Sequence, residues 1–210
     1  MCIENLSLSQ LKKFGKHFLG IGNFPSRILV KNYGEFIQVL YQDIDDIVFN
    51  IQKNPELRQL DEEDRLNIDI VNMLTCLGYN ASHDQKIGGH TDISVTKNLY
   101  LWIGEAKIYR GPEYLWKGFQ QLNTRYSTGD SNQNHGGLLI YIKQPKAKSL
   151  IDKWKVKLVD EKLEGYSYSS CPNRELDFYS NHIHERSGLI FTIKHIPIIL
   201  HFSPQDIKVS

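Results

Sequence analysis

Three side chains suited to metal-assisted hydrolysis occur near the middle of the chain. Asp92 lies in the segment 90–96, and Glu105 and Lys107 follow within the run 101–108. Carboxylates are hard oxygen ligands of the kind that Mg²⁺ or Mn²⁺ prefers. A neighbouring ammonium group can bind a phosphate or position an attacking water. These residue types at this spacing therefore indicate phosphodiester hydrolysis.

Two strand-like patterns position these side chains. Residues 90–96 alternate in polarity, residues 99–108 are rich in aromatic and β-branched types, and Lys97-Asn98 offers a turn between them. The segment predicts a β-hairpin. Strand alternation then places Glu105 and Lys107 on one face, with Asp92 broadly opposite on the neighbouring strand. A plain Glu–Lys ion pair at a strand end is the alternative explanation for the last two residues.

The remaining pattern predicts the elements around the hairpin. Apolar residues recur at helical spacing over about 35–53, 61–77, 112–126 and 146–163. The continuous apolar run 138–142 predicts a buried strand, and the segment 177–202 predicts short strands and turns. Residues 1–32 have no clear pattern. The fold class we expect is α/β, with a mixed sheet flanked by helices. The small Gly104 and Ala106 predict a closely packed helix on their face of the sheet.

The order of residues resembles a known nuclease family. Asp92, twelve further residues, and then Glu105-Ala106-Lys107 resemble the motif of the PD-(D/E)XK superfamily. A helix precedes the hairpin, and a helix and a strand follow it, as in that superfamily. The resemblance covers about residues 61–142. Thr91 stands where the motif has proline, a departure that many members share. The resemblance implies a restriction endonuclease-like core.

The resemblance also implies roles for particular residues. Asp92 and Glu105 would bind the metal, Mg²⁺ or Mn²⁺, together with the carbonyl group of Ala106. Lys107 would position or activate the attacking water. All three side chains are then catalytic.

Two further helix residues are candidates for the same site. Many members carry a glutamate in the helix before the hairpin, and Glu62 and Glu63 both qualify, with Glu63 favoured as metal ligand and catalytic residue. The alternative is an acid that only complements the helix dipole. Some branches show a glutamine in the helix after the motif, where Gln121 stands here. A solvent-facing glutamine is the alternative.

The function implied is that of a divalent-metal-dependent endonuclease, with DNA favoured over RNA, in prokaryotic restriction, repair or anti-phage defence. Nucleic acid is the expected partner, beside partner proteins of a defence system. Dimerisation is common in the superfamily, and a homodimer stays an option that no residue pattern decides. A non-catalytic domain that binds nucleic acid or a partner protein on the same scaffold is the alternative.

We divide the chain into three parts: a mainly helical extension (1–60), the nuclease core (61–165) and a C-terminal β extension packed on the core (166–210). The 210 residues carry a net charge of +1, so any basic surface must be local. Six lysines fall within 143–157, and a solvated helix face explains them. Cations near the motif could neutralise phosphates: Lys107, Arg110, Lys117 and Arg125.

The numbers and positions of the cysteines and histidines argue against other kinds of site. Cys2, Cys76 and Cys171 are odd in number and far apart, which argues against a disulfide framework and favours a reducing compartment. No run is long and apolar enough for a membrane span, so we expect a cytoplasmic protein without membrane contact. His182 and His184 would share a strand face, but no cysteine partner makes a zinc site with them.

Overall fold

The computed structural model describes residues 7–14 and 22–206, and within them it contains six α-helices and seven β-strands. The helices are α1 (Leu8–Phe14), α2 (Phe24–Ile28), α3 (Tyr33–Ile51), α4 (Glu63–Cys76), α5 (Pro112–Gln121) and α6 (Ala147–Asp160). A 3₁₀ turn spans Pro55–Arg58, and a π-helix, Leu122–Tyr126, continues α5. The strands are β1 (Asn80–Lys86), β2 (His90–Lys97), β3 (Tyr100–Ile108), β4 (His135–Ile142), β5 (Ser167–Ser170), β6 (Phe178–Ile183) and β7 (Ile190–Ile199).

All seven strands belong to one mixed sheet. Their order is β1-β2-β3-β4-β7-β6-β5. The central strands β3, β4 and β7 are parallel, and the outer pairs on both sides are antiparallel. The central strand β4 is buried from Gly136 to Ile142, as a strand covered on both faces must be.

Helices cover both faces of this sheet. Helices α3 and α4 pack on one face, where Leu40, Ile44 and Leu66 are fully buried. Helices α5 and α6 pack on the other, where Phe119 and Trp154 are fully buried. The expected class, α/β with a mixed sheet flanked by helices, is confirmed.

The hairpin that carries the motif is present as β2 and β3. Lys97 pairs with Tyr100, so the turn is Asn98-Leu99, one residue later than expected. Asn98 adopts φ +55°, the left-handed conformation that tight hairpin turns require and that asparagine tolerates. This register pairs Ile93 with Gly104 and therefore brings the residues on either side of that pair together.

Two strands lie where the sequence did not place them. Residues 80–86 form β1, at the edge of the sheet, although the segment 83–89 is short and polar and ends in Gly88-Gly89, a pattern typical of a turn. Strand β7 lies inside the sheet between β4 and β6, so the C-terminal region completes the sheet. Helix α3, from the N-terminal part, packs directly on that sheet. The predicted domain boundaries at 60 and 165 stay predictions. Parts of the two predicted extensions lie outside the described residues, namely 1–6, 15–21 and 207–210.

In the described part of the chain, no helix is both long enough and apolar enough to cross a membrane.

Candidate active site

The ammonium group of Lys107 lies among three carboxylates. Its Nζ is 2.6 Å from Oε1 of Glu105, 3.3 Å from Oε1 of Glu63 and 3.6 Å from Oδ2 of Asp92. The same Nζ donates a hydrogen bond of 2.8 Å to the carbonyl oxygen of Ala106. The structure therefore brings together all four of the groups that the family resemblance assigns to a metal.

Strand geometry explains why the charged side chains meet. Ile93 and Val95 of β2, and Trp102 and Ala106 of β3, belong to the core under α3 and α4. Side chains alternate along a strand, so the residues between them turn to the opposite face, toward α5. Asp92, Glu105 and Lys107 all occupy that face.

Helix α4 supplies the third carboxylate from its first turn. Glu63 is the first residue of the helix, and its carboxylate contacts Lys107 near the end of β3. Glu62, the other candidate, is exposed at the position just before the helix. Of the two glutamates, the structure places only Glu63 against the lysine.

Backbone amides fix two of the carboxylates. Oδ2 of Asp92 accepts a hydrogen bond of 2.8 Å from the amide of Ala106, and Oε2 of Glu63 accepts one of 2.8 Å from the amide of Ile108. Both amides belong to β3. These bonds hold the two acids to the strand that carries Glu105, independently of Lys107.

Helix α5 closes over the site at a glycine. A Cβ atom at Gly118 would lie 3.0 Å from Cγ of Lys107 and 3.2 Å from Cγ of Glu105. Any larger residue would press on both side chains. The small Gly104 and Ala106 predict a close helix on the opposite face of β3, but a Cβ at Gly104 would meet the indole of Trp102 at 2.7 Å. The space at Gly104 is thus taken by a neighbouring ring and not by a helix.

The π-helix after α5 anchors the start of β2. The hydroxyl of Tyr126 donates a hydrogen bond of 2.8 Å to the carbonyl oxygen of His90 and accepts one of 3.0 Å from the Gln121 amide. The turn before β2 packs so closely here that a Cβ at Gly88 would collide with the Arg125 carbonyl oxygen. Gln121 therefore reaches the site through Tyr126, which the sequence analysis did not single out.

The ring of His90 is exposed and contacts a carboxylate of β1. Its Nδ1 is 2.8 Å from Oδ1 of Asp84, and both side chains are largely exposed. Asp84 has φ +55° and forms an irregularity in β1 opposite Asp92. His90 shares the strand face of Asp92, as its position two residues earlier requires.

Burial and charge act in opposite directions at the centre. Burial, and then the negative charge of Asp92, raise the pKa of Glu105 to about 7. Burial alone would lower the pKa of Lys107, but the carboxylates of Glu105, Asp92 and Glu63 outweigh it and raise that pKa above its ordinary value. Lys107 therefore carries its positive charge at neutral pH.

The donor chemistry fits a divalent cation, whereas the present arrangement of the side chains favours an ammonium. Among residues 7–14 and 22–206, no group of three or more His, Cys, Asp or Glu side chains is arranged to hold a metal ion. Yet Oε2 of Glu105 is buried and finds no hydrogen-bond partner within the described chain. A buried carboxylate oxygen without a partner is costly, and it is a ligand type that Mg²⁺ and Mn²⁺ accept. The residues thus fit such an ion in kind.

A polar depression is formed by α5 and the π-helix that continues it. It has a volume of about 430 Å³ and is lined by Lys117, Gln120, Gln121, Thr124 and Arg125. Two of the cations expected near the site therefore share one surface. Arg110, a third, lies with its guanidinium 5.2 Å from the centre of the Tyr114 ring.

The buried histidines lie elsewhere and serve the core. His195 stacks on Phe178 with ring centres 4.1 Å apart, and its Nδ1 accepts a hydrogen bond from the Trp154 indole. Nε2 of His182 lies 2.9 Å from Oδ1 of Asn123. His184 packs against Phe191. They are spread through the core under α5 and α6 and form no ligand cluster among the described residues.

Comparisons with protein-family models, with curated proteins and with solved structures find no match. The resemblance to the PD-(D/E)XK superfamily therefore stays a prediction from the motif.

Proposed function

We propose that this protein is a divalent-metal-dependent phosphodiester hydrolase, an endonuclease that prefers DNA to RNA. One observation carries the proposal. The acid–acid–lysine set of Asp92, Glu105 and Lys107 is clustered on two adjacent strands, and Glu63 joins it from the preceding helix. Glu105 and Lys107 are buried, Asp92 and Glu63 are half-buried, and such a group of three acids and one base is expensive to maintain for stability alone. Such clusters are characteristic of catalytic sites.

In this proposal, Asp92, Glu105, Glu63 and the Ala106 carbonyl would hold Mg²⁺ or Mn²⁺. The ion, when bound, supplies Lewis-acid stabilisation of the phosphate and of the attacking hydroxide. Lys107 binds a nonbridging phosphate oxygen and stabilises its growing negative charge.

The surface beside the centre suits a polyanion. Lys117 and Arg125 lie about two helical turns apart along α5 and its π-helical continuation, with Gln121 midway between them. Cations at such a spacing can follow a phosphate backbone without reading its sequence. We assign this strip to the backbone of the nucleic acid.

The test is cleavage of plasmid DNA, single-stranded DNA and RNA with Mg²⁺, Mn²⁺ or EDTA. Wild-type protein is compared with Glu105→Gln, which removes the charge and keeps the shape. Glu113→Gln, on exposed α5 surface, is the matched control. We expect metal-dependent cleavage by the wild type and the control, and its loss in Glu105→Gln. Equal cleavage by Glu105→Gln would refute the proposed centre.

A second function, binding of nucleic acid without cleavage, is favoured by one observation. Lys107 already pairs with the three carboxylates, so the cluster can persist as a self-contained ion network. This function predicts that Lys117→Ala and Arg125→Ala weaken DNA binding in a gel-shift assay, while no metal gives cleavage. Cleavage by the wild type would exclude it.

The resemblance suggests a role in restriction, repair or anti-phage defence. That role is a further proposal, since one scaffold serves many cellular purposes.

A further inference from the structure

The position of the Lys107 ammonium bears on how a metal could enter this site. Every group proposed as a metal ligand contacts that single Nζ, at distances between 2.6 and 3.6 Å for the acids and 2.8 Å for the Ala106 carbonyl. The side chain is only 11% exposed. The ammonium therefore lies where the donor oxygens converge.

The Lys107 ammonium and a divalent metal ion cannot both bind these oxygen donors with full affinity. Oxygen lone pairs committed to the ammonium are withdrawn from a second ion, and two positive charges a few ångströms apart in a poorly solvated site repel each other strongly. A divalent ion gains the full benefit of the acids only when Nζ moves away.

The lysine cannot simply be lifted out of the site. Helix α5 covers its stem at Gly118, where even a methyl group would lie 3.0 Å from Cγ and 3.2 Å from Cε. Its Nζ can therefore move only by pivoting at the end of a confined stem. An anion that binds near the site, such as a phosphate, attracts the ammonium and therefore favours that movement.

We propose that Lys107 is a gate that couples metal binding to phosphate binding. In the free protein its ammonium competes with the metal for Glu105, Glu63 and Asp92. A bound phosphate draws the ammonium toward itself and frees the carboxylate oxygens. Metal and nucleic acid then bind cooperatively, and each raises the affinity for the other by the same factor. This inference rests on the proposed function, because it concerns the same site.

Removal of the lysine charge should leave the acids in position. Asp92 and Glu63 stay tied to the amides of Ala106 and Ile108 whichever cation is present. Lys107→Met keeps an unbranched apolar stem under Gly118 and deletes the ammonium group that competes with the metal. Lys107→Arg keeps the charge and is the matched control.

The experiment measures the dissociation constant of Mn²⁺ by electron paramagnetic resonance, without nucleic acid. We expect Lys107→Met to bind Mn²⁺ about 10-fold or more tightly than the wild type, within the usual range of such couplings. Lys107→Arg should bind as weakly as the wild type. Unchanged or weaker Mn²⁺ binding by Lys107→Met overturns the gate. In that case, loss of Mn²⁺ binding in Glu105→Gln would still support the metal site. Absence of Mn²⁺ binding in all variants overturns the proposed metal site itself.

A second measurement tests the coupling and the fold together. Fluorescence anisotropy with a labelled 20-base-pair duplex is recorded with Ca²⁺ and with EDTA, and the duplex is checked on a gel. Ca²⁺ should raise the DNA affinity of the wild type about 10-fold and that of Lys107→Met much less. Equal Ca²⁺ effects in both proteins contradict the gate. Thermal unfolding with added Mn²⁺ shows whether Lys107→Met is folded, and Mn²⁺ should stabilise it more than the wild type.

Discussion

The hydroxyl of Tyr126 donates a 2.8 Å hydrogen bond to the carbonyl oxygen of His90, two residues before Asp92 on β2. This bond ties the π-helix after α5 to the strand that carries the first acid of the site. π-helical turns inside α-helices occur frequently at functional sites. Here the extra residue in the turn allows Tyr126 to accept the Gln121 amide and still reach β2.

Tyr126→Phe tests this connection. We expect the free energy of unfolding to fall by about 1 kcal/mol, the usual value of one hydrogen bond. The cleavage rate should fall by a larger proportion, because Asp92 is then less well positioned. Urea denaturation and initial cleavage rates measure the two effects.

The matched control for that change is Tyr33→Phe. The Tyr33 hydroxyl also donates to a strand carbonyl, that of Leu101 at 3.0 Å, at the opposite end of β3 from the site. A similar loss of stability is expected there, with cleavage retained. If both variants lost activity equally, the link from Tyr126 to Asp92 would have no specific role.

Gly118→Ala should disturb the site more than it disturbs the fold. Alanine favours a helix over glycine by about 1 kcal/mol, which offsets the strain of its methyl group against Lys107 and Glu105. We expect a thermal midpoint near that of the wild type and cleavage reduced about 10-fold, as a small misplacement of reacting groups commonly causes.

Gly34→Ala provides the comparison for Gly118→Ala. Gly34 is also helical, in α3, and an added Cβ there makes only an ordinary contact of 3.5 Å with the Asn32 side chain. This change should raise stability and leave cleavage unaltered. An active Gly118→Ala enzyme would mean that the close approach of α5 is not needed.

The adjacent pair Glu62 and Glu63 allows a test within one helix turn. Glu63→Gln removes the charge that contacts Lys107 and should weaken Mn²⁺ binding and cleavage about 10- to 100-fold, as is common when a group that supports a metal site is altered. Glu62→Gln should have neither effect, because Glu62 is exposed. A titration of each variant by calorimetry decides between them, and equal effects would argue against a specific role for Glu63.

The buried His182 and the half-buried His135 predict how the free energy of unfolding depends on pH. Burial lowers the pKa of His182 to about 4, and the pKa of His135 likewise to about 4. The unfolded chain takes up these protons at its ordinary value near 6.5, before the folded protein does. The contribution of these neutral histidines to the free energy of unfolding is complete above pH 6.5, and it is lost progressively as the pH falls toward 4.

His182→Gln removes one of these groups and keeps an amide donor for Asn123. Its free energy of unfolding should therefore fall less steeply than that of the wild type between pH 6.5 and 4.5. Parallel curves for the two proteins, measured by urea denaturation, would show that His182 does not contribute to this acid sensitivity.

Local patterns made the hairpin and most helices predictable. The alternation in β2 has a period that only a strand satisfies, and the aromatic and β-branched content of β3 indicates the second strand. The face shared by Glu105 and Lys107 follows from that period alone. Gly118 lies three residues before Gln121, so helical spacing placed both on one side of α5, although it did not reveal which side faces the site.

Other features depend on contacts between distant residues. Strand β1 lacks β-branched residues because its edge position demands little packing, so its sequence resembles a loop. The place of β7 between β4 and β6 follows from pairing across more than 50 residues, which no local pattern encodes. The motif indicated Lys107 as a catalytic group, but only the folded structure shows it holding the carboxylates.

The insertion of β7 into the interior of the sheet has a consequence for synthesis of the protein on the ribosome. Strands β3 and β4 can pair as soon as residue 142 has emerged, but β4 keeps an open edge of buried apolar residues until β7 appears. Open edges of this kind invite pairing with other chains. A pause in translation between these two strands would therefore prolong an aggregation-prone nascent chain, in which the strands that carry the acids of the site are already joined but their sheet is not yet closed.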